Sequence, residues 1–194
     1  MPAEWLGPDT VLCLSLEAPL DSIAALARRA ALAKCRIVLN AAPARPVPAG
    51  LLDLLDVLIV NRHEATALAR SLGIEADTPM ESARALAKGR KTAVIATLGG
   101  EGAVAFRGGK AWRVPALAIG PAVDTTGAGD AFAGALAAAL DAGSDLAPAL
   151  ARAAVAGALA CTKEGAQPAL PDAAEIAAAL PRLPPVQRID LEMN

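Results

Sequence analysis

The chain has 194 residues and a formal net charge of -2; 55% of its residues are hydrophobic, 2% are aromatic and none is tyrosine. This length suits one domain with a substantial core built from Ala, Val, Leu and Ile. The absence of basic runs and aromatic stacking surfaces excludes a nucleic-acid binder. Because no leader and no apolar run of about 18 residues is present, we interpret the chain as a cytoplasmic protein without membrane contact.

The cysteines and the single histidine do not indicate a metal site. Cys13, Cys35 and Cys161 lie far apart in apolar surroundings, which predicts reduced, buried thiols instead of disulfides or zinc ligands. His63 has no second histidine or cysteine at ligand spacing. Metal-dependent hydrolysis and Ser-His or Cys-His catalysis are therefore not favoured.

The first part of the chain alternates predicted strands and helices. Short apolar runs predict strands, and apolar residues at helical spacing between them predict helices. Strands are predicted over 11–16, 36–40 and 55–61, with helices over 19–35 and 62–73. Strand, helix and second buried strand in this order indicate a right-handed parallel unit.

The alternation continues and then changes. Thr78 followed by Pro79 is typical of a helix start, and the next strand is predicted over 92–99. Residues 102–116 predict a hairpin around Gly108 and Gly109. Helices are predicted over 127–142 and 146–162, with a short one led by Pro171. We predict a single α/β domain over 1–194, with three layers and helices on both faces of a mostly parallel sheet.

Polar residues fall at the ends of the predicted strands. In open parallel sheets, ligands bind at the carboxyl ends of the strands. The residues placed there are Glu17, Asn40, Asn61, Thr97 and Asp124. They indicate a site at this edge, although strand ends meet polar loops in any protein.

The segment VDTTGAGDAF, residues 123–132, combines glycines and acids at a predicted helix start. The backbone N–H groups of Gly127, Ala128 and Gly129 have no partner inside the helix, so together with the helix dipole they form a candidate anion site. Asp130 beside it would repel a phosphate unless it accepted a proton from an attacking hydroxyl. The alternative is that Asp130 only complements the helix dipole.

The segment NRHEA has two interpretations. Asn61 and Glu64 are three residues apart at a helix start, so they share one face and could hold a hydrated Mg²⁺. The same spacing is that of a capping box, in which each residue bonds the backbone of the other. From these residues alone, the capping box is favoured.

The segment TLGGEG satisfies a dinucleotide-binding pattern through Gly100, Gly102 and Ala105. The residues that follow predict a strand where that pattern needs a helix, and no acid lies at the distance expected for holding a ribose. NAD binding is therefore not favoured. The chain also lacks the glycine-rich loop and lysine of P-loop enzymes.

Taken together, DTTGAGDAFAGAL, NRHEA and TLGGEG resemble the ribokinase-like (PfkB-type) family of carbohydrate kinases over about Asp9 to Leu180. LSLEAPLDS, VLNAAPARPVP and TKEGAQPALP are most similar to the ribokinase branch. The resemblance implies ATP-dependent phosphorylation of a sugar primary hydroxyl, with ribose converted to ribose 5-phosphate. Fructose, 2-keto-3-deoxygluconate and a nucleoside are the alternative acceptors.

The resemblance also implies roles for individual residues. Asp130 would be the base and contact the sugar, Gly127, Ala128 and Gly129 would form the anion hole, and Glu17 would contact the sugar. Asn61 and Glu64 would hold Mg²⁺ and phosphates through water. The nucleotide would be lined by Thr97, Leu98, Gly99, Gly100, Glu101 and Gly102, together with Gly129 and Asp130.

An activating K⁺ is the remaining cofactor that the resemblance implies. It would be bound by Asp124 and the backbone carbonyls of Thr126, Ala160, Lys163 and Gly165. Two residues depart from the family pattern. Ala169 lacks the hydroxyl ligand that relatives often have, so the cation shell would be one ligand short or completed by water. Ala154 replaces a polar residue that often contacts adenine.

Members of this family begin with further strands, a Gly-Gly sugar-binding loop and a β-sheet lid, and this chain is expected to lack them. We therefore expect weak or no sugar phosphorylation, because the lid excludes water from the reaction. The alternative is a non-catalytic fragment that binds nucleotide. It could also self-associate through the exposed sheet edge at VLCLSL.

Overall fold

The computed structural model describes residues 1–190, which divide into two compact units. The first unit contains Met1–Leu98, Val104–Ala111 and the described residues from Ile189 onwards, and the second contains Gly99–Ala103 and Trp112–Arg188. In these 190 residues the strands are β1 Val11–Ser15, β2 Arg36–Asn40, β3 Val57–Asn61, β4 Ala93–Thr97, β5 Ala103–Arg107, β6 Lys110–Val114 and β7 Gln187–Asp190. The helices are α1 Leu20–Leu32, α2 Ala49–Leu52, α3 Arg62–Ser71, α4 Pro79–Ala87, α5 Ala128–Asp141, α6 Leu146–Ala160 and α7 Ala173–Ala179.

The strands form one seven-stranded sheet whose order follows the chain from β1 to β7. β1 to β4 are parallel, with Val11 opposite Arg36, Val38 opposite Val57 and Val57 opposite Ala93. β5 and β6 are neighbours joined by two residues, so they form an antiparallel hairpin. Both linking residues, Gly108 and Gly109, have positive φ, as a type I′ turn requires. The predicted α/β class and mainly parallel sheet are confirmed.

One apolar cluster of the first unit lies on one face of the sheet. Alternate strand residues point to this face and pack with small and branched residues of α1, α3 and α4. Alanines on the helices allow a close approach to the sheet, because their side chains end at Cβ. The cluster includes Ile37, Leu39, Leu58, Val60, Val94, Ala27, Ala65, Leu68, Ala83 and Leu86.

Three helices begin with a reciprocal capping box, in which side chain and backbone bond in both directions. The pairs are Asn61 with Glu64, Thr78 with Glu81, and Asp172 with Glu175. The predicted helix starts at Asn61 and Thr78 are confirmed. The last helix was predicted to begin at Pro171 but begins at Ala173, because Asp172 is its capping residue.

Close contact between α5 and α6 dominates the second unit. A Cβ on Gly157 would lie 3.2 Å from the Ala128 carbonyl oxygen and 3.5 Å from the Phe132 Cβ. Glycine at 157 therefore lets the first turn of α5 rest against α6. Around this contact a small apolar cluster forms from Leu117, Ala131, Val155, Ala156, Ala160, Ile176 and Ala179.

Three sequence predictions differ from the structure. Cys13 was predicted to be buried but is exposed, because it faces away from the core that contains Leu12. Cys35 is buried and Cys161 is partly buried, and none of the three forms a disulfide within residues 1–190. Asp124 was placed at the end of a strand but follows an irregular segment after β6. The strand β7 and the short helix α2 were not predicted.

Within residues 1–190, no helix has both the length and the hydropathy needed to cross a bilayer.

The strand that follows TLGGEG is β5, as predicted, so a strand stands where a dinucleotide fingerprint needs a helix. β1 lies at one end of the strand order, as the prediction of an exposed edge at VLCLSL requires.

Substitution of Gly102 by alanine is expected to destabilise the protein by about 3 kcal/mol. Gly102 has φ of 90°, and a Cβ there would overlap the Val114 carbonyl oxygen and lie 2.6 Å from the Pro115 carbonyl carbon. Gly100→Ala is the matched control, because a Cβ at Gly100 meets nothing within 4 Å. Urea denaturation of the two variants measures the difference. Equal stabilities would contradict the close packing at Gly102.

Candidate functional site

The Asp124 carboxylate holds together two segments of the second unit that are distant in sequence. Its Oδ1 accepts hydrogen bonds from the Thr126 backbone N at 2.9 Å and the Thr126 Oγ1 at 2.7 Å. Its Oδ2 accepts one from the Gly165 backbone N at 2.9 Å. The segment before α5 is thereby bonded to the loop after α6. A second hydrogen bond between the same two segments is donated by the Val123 backbone N to the Cys161 carbonyl oxygen at 2.8 Å.

These bonds keep Asp124 ionised. Donors that favour the charged form, led by the Thr126 backbone N–H and followed by that of Gly165, lower the pKa of the Asp124 carboxyl below its usual value. Burial, and after it the charge of Asp124, raises the pKa of the Cys161 thiol. Asp124 is therefore a fixed negative charge between these two segments.

The turn before α5 leads into an accessible helix end. Of the three N–H groups predicted to bind an anion, that of Ala128 is already engaged, because it donates to the Thr125 carbonyl oxygen at 3.2 Å. Gly127 is the capping residue and has φ of 78°, a left-handed conformation that favours glycine. A Cβ at Gly127 would also lie 3.1 Å from the Ala166 Cα, so the space beside it is filled. Gly129, by contrast, has nothing within 4 Å of a Cβ position and is exposed. An anion can therefore reach the backbone at Gly129.

Asp130 lies in the first turn of α5 and is exposed. Among residues 1–190, no side chain or backbone group bonds its carboxylate, in contrast to Asp124. The two acids of VDTTGAGDAF therefore differ. Asp124 is bonded on both carboxylate oxygens, and Asp130 is open to solvent.

The structure brings together three of the five residues predicted for the monovalent cation. Asp124, Thr126 and Gly165 are joined by hydrogen bonds. Ala160 is the last residue of α6, and the Lys163 ammonium pairs with the Glu175 carboxylate at 3.0 Å. Ala169, which stands where relatives often have a hydroxyl ligand, is buried.

The oxygens predicted to hold the monovalent cation would suit an ion of low charge. One carboxylate with several backbone carbonyls would give an oxygen ligand set with a single negative charge. In Asp124, Oδ2 accepts one hydrogen bond and keeps a second lone pair, whereas Oδ1 already accepts two. In the described part of the chain, His, Cys, Asp and Glu form no group of three that could hold a metal by themselves. Such an oxygen set would fit K⁺ better than a transition metal.

In the first unit, Asn61 and Glu64 form the capping box at the start of α3. Glu64 Oε2 accepts from Asn61 N at 2.7 Å, and Asn61 Oδ1 accepts from Glu64 N at 2.9 Å. Glu64 is only 7% exposed, and burial raises the pKa of its carboxyl despite the Asn61 bond. Because both side chains are engaged with backbone, they fit Mg²⁺ only through intervening water.

The remaining predicted residues lie at strand ends. Glu17 is exposed in the turn after β1, and Asn40, at the end of β2, is buried. Thr97 ends β4, where its hydroxyl donates to the Val60 carbonyl oxygen at 3.4 Å. Leu98 follows it, and its carbonyl oxygen accepts from the Arg62 guanidinium at 3.3 Å. In the second unit, Gly99, Gly100 and Glu101 form a single 3₁₀ turn before Gly102.

Comparison with known proteins identifies the family. A family model described as pfkB family carbohydrate kinase matches residues 4–173, a range that includes the Asp124 contacts, the start of α5 and the α3 capping box. The chain belongs to the pfkB family of carbohydrate kinases.

Ribokinases are among the relatives of this chain within the pfkB family. The chain is 31% identical over 180 residues to the ribokinase of Lactococcus lactis, covering 93% of this chain and 57% of that protein. It is 34% identical over 164 residues to the ribokinase of Haemophilus influenzae, covering 82% and 52%. The chain thus spans little more than half the length of these curated relatives.

Solved structures give the same family. The ribokinase of Thermotoga maritima superposes with a TM-score of 0.81 at 29% identity, covering 93% of this chain and 61% of that one. The Arabidopsis thaliana ribokinase, solved as a complex with ribose and ATP, gives a TM-score of 0.79 at 31% identity, covering 88% and 55%.

Two features of this pfkB site were not predicted. The backbone of Ala166 fills the space beside Gly127, and no sequence signal marks Ala166 except that it follows a glycine. Gly165 was predicted to offer a carbonyl to the cation, whereas the bond found is donated by its N–H to Asp124. Backbone contacts between distant segments leave no mark on side-chain patterns.

Substitution of Asp124 by asparagine is expected to lower the melting temperature at pH 7. The amide would place an N–H₂ donor against either the Thr126 or the Gly165 N–H. Because the pKa of Asp124 is lowered in the folded protein, its stabilisation is present above the unfolded pKa of about 4 and is lost as the pH falls through the folded pKa. The difference from the wild type should therefore shrink in acid.

Thermal melts from pH 7 down to pH 3 measure this effect. Asp145→Asn is the control, because Asp145 caps α6 without a side-chain hydrogen bond and asparagine caps equally well. A pH-independent loss in the Asp124 variant would contradict the role of its charge.

Proposed function

We propose that this chain carries the phosphoryl-transfer site of a kinase that uses ATP to phosphorylate a sugar primary hydroxyl, with ribose as the first candidate. The observation that carries the proposal is the start of α5, where an open glycine turn lies beside an unpartnered carboxylate. Its ribokinase relatives, one of them solved with ribose and ATP, support ribose as the acceptor.

The transferring phosphoryl group would be held at the turn before α5. Backbone N–H groups at Gly127 and Gly129 would be the donors, and the helix dipole would add to their effect. The Ala128 N–H would join them only by giving up its bond to the Thr125 carbonyl oxygen. Phosphoryl transfer is catalysed chiefly by positioning and by stabilisation of charge on the equatorial oxygens. Donors held by the backbone are suited to this task because they need no reorganisation when the charge develops.

Asp130 would act as the base. The sugar hydroxyl gives its proton to the Asp130 carboxylate as its oxygen forms a bond to the γ-phosphorus of ATP. The bond between that phosphorus and the β,γ-bridging oxygen breaks, and ADP leaves with the bond's electron pair. Positioned proton transfer of this kind contributes about 10²- to 10⁴-fold in rate.

Other residues would have supporting roles. Asn61 and Glu64 would hold Mg²⁺ through water, where the ion would neutralise phosphate charge, and Thr97 to Gly102 would line the nucleotide. Asp124 with the carbonyls of Thr126, Ala160, Lys163 and Gly165 would hold K⁺, and Glu17 would contact the sugar. Fructose, 2-keto-3-deoxygluconate or a nucleoside are alternative acceptors, since only Glu17 and Asp130 are proposed to contact the sugar.

Substitution of Gly129 by alanine is expected to weaken ATP binding about tenfold, because the added methyl group obstructs the approach of phosphate to the backbone. The control is Gly134→Ala on the same helix, whose Cβ position is equally open. Both changes should stabilise α5 by about 0.5–1 kcal/mol, as glycine is a poor helix former. Calorimetric titration with Mg-ATP measures the affinities.

The paired design separates binding from folding. An equal effect of both alanines on ATP affinity would contradict phosphate binding at the α5 turn. Loss of binding in Gly129→Ala together with loss of stability would indicate a folding defect instead.

Substitution of Asp130 by asparagine is expected to lower phosphoryl transfer to ribose at least about 10²-fold, because the amide cannot accept the hydroxyl proton. ATP affinity should stay the same or rise, since a negative charge beside the phosphates is removed. Coupled measurement of ADP release gives the rate, and Asp145→Asn is the control. Unchanged turnover would contradict the assignment of Asp130.

Titration of Mg-ATP with and without ribose tests the alternative, a nucleotide-binding chain without catalysis. A ribose-dependent change in ATP affinity, with ribose-dependent ADP release, supports the kinase. ATP binding that ribose leaves unchanged, without ADP release, supports the alternative.

A further inference from the structure

A large groove lies in the first unit, at the end of β4 opposite to Thr97. It has a volume of about 930 Å³ and is formed by the loop before α4, by α4, by the α4–β4 loop and by the β5–β6 turn. The α4–β4 loop contributes Gly89 and Arg90, which precede β4, whereas Thr97 ends that strand. Five residues of strand span about 13 Å between their end Cα atoms, so the groove is separate from the strand ends that carry Asn61 and Thr97.

Cationic side chains are concentrated in this groove. Five of its fifteen lining residues are Lys or Arg, compared with 18 of 194 in the whole chain. They come from three different segments of the first unit and are Arg84, Lys88, Arg90, Arg107 and Lys110. The groove is thus positive in a protein whose net charge is -2. Convergence from separate segments distinguishes it from a charged face of one helix.

Of the three acidic lining residues, Glu81 is engaged elsewhere. Its Oε2 accepts from the Asp77 and Thr78 backbone N atoms at 2.9 and 3.2 Å, so it serves as the cap of α4. Arg90 is held in place by two residues that do not line the groove. Its Nε lies 3.3 Å from Asp53 Oδ1, and its Nη1 donates to the Leu86 carbonyl oxygen at 2.9 Å. One cation of the groove is therefore already positioned.

The floor and the turn of the groove add two further properties. Phe106, Ala85 and Ala87 supply apolar surface. Gly108 and Gly109 on the turn, and Gly89 on the opposite loop, have no heavy atom within 4 Å of a Cβ position. A ligand can therefore approach the backbone there as closely as at a phosphate-binding turn. Apolar floor and cationic rim together match an anion that carries an organic group.

We propose that this groove binds a phosphorylated small organic molecule. Its phosphate would contact Arg107, Lys110 and Lys88, and its organic part would lie on Phe106 and Ala85. Because the groove lies away from the strand carboxyl ends, it is a second anion site, independent of the site proposed for ATP. Occupancy would not require ATP or sugar.

Phenyl phosphate is the probe, followed by ¹H–¹⁵N correlation spectra of the labelled full chain. Saturable shifts are expected at the amides of Gly89, Gly108 and Gly109. Arg107→Gln with Lys110→Gln should weaken binding about fivefold, as expected for the loss of two exposed charge contacts. Arg28→Gln with Arg70→Gln removes the same charge from exposed helix positions outside the groove and should leave the affinity unchanged.

Two further probes separate the chemistry of the ligand. Inorganic phosphate should bind more weakly than phenyl phosphate, and phenol should cause no saturable shift. Equal affinity for inorganic phosphate would overturn the role of the apolar floor, and equal affinity for phenol would overturn the role of the cations. Shifts confined to Gly127 and Gly129, or equal weakening by both double variants, would overturn the site itself. Mg-ATP titrations test the α5 turn separately, so a negative result for the groove would not count against the proposed function.

Discussion

The hydrogen bonds of the Asp124 carboxylate are the interaction on which the candidate site depends. One side chain accepts from Thr126 on the near side and from Gly165 on the far side, and so fixes the segment before α5 against the loop after α6. Without it, two backbone N–H groups and a hydroxyl would lose a charged acceptor. Hydrogen bonds to ionised groups are about twice as strong as neutral ones, which suits a carboxylate to holding two loops.

The helix start follows from this constraint. With the preceding residues fixed, Gly127 takes a left-handed conformation against the Ala166 backbone, and Gly157 lets α6 approach the first turn of α5. Small residues at these two positions therefore serve packing, whereas the Cβ position of Gly129 meets no neighbouring atom and the residue is exposed. The same glycine-rich segment thus combines rigid support with an accessible backbone, next to an Asp130 carboxylate that nothing in residues 1–190 bonds.

How much could be predicted depended on the range of the interactions. Strands β2 and β3, the capping box at Asn61, the helix start at Thr78 and the hairpin at Gly108–Gly109 were predictable because their signals lie within a few residues. β7 and the exposed position of Cys13 were not predictable. Whether a late segment joins the sheet, and which face of an edge strand is covered, depend on residues that are distant in sequence. At the site, the residue types of VDTTGAGDAF indicated anion binding, but not which acid was structural.

The sequence by itself determined the α/β alternation, the glycine turn and the two acids of the α5 segment, because periodicity, conformational freedom and charge are properties of the residues themselves. Only the tertiary structure decided that Asp124 bonds Gly165, that Ala166 fills the space at Gly127 and that five cations from three segments line one groove. The physical reason is that each of these depends on two pieces of chain that meet in space, and their separation in sequence carries no local signal.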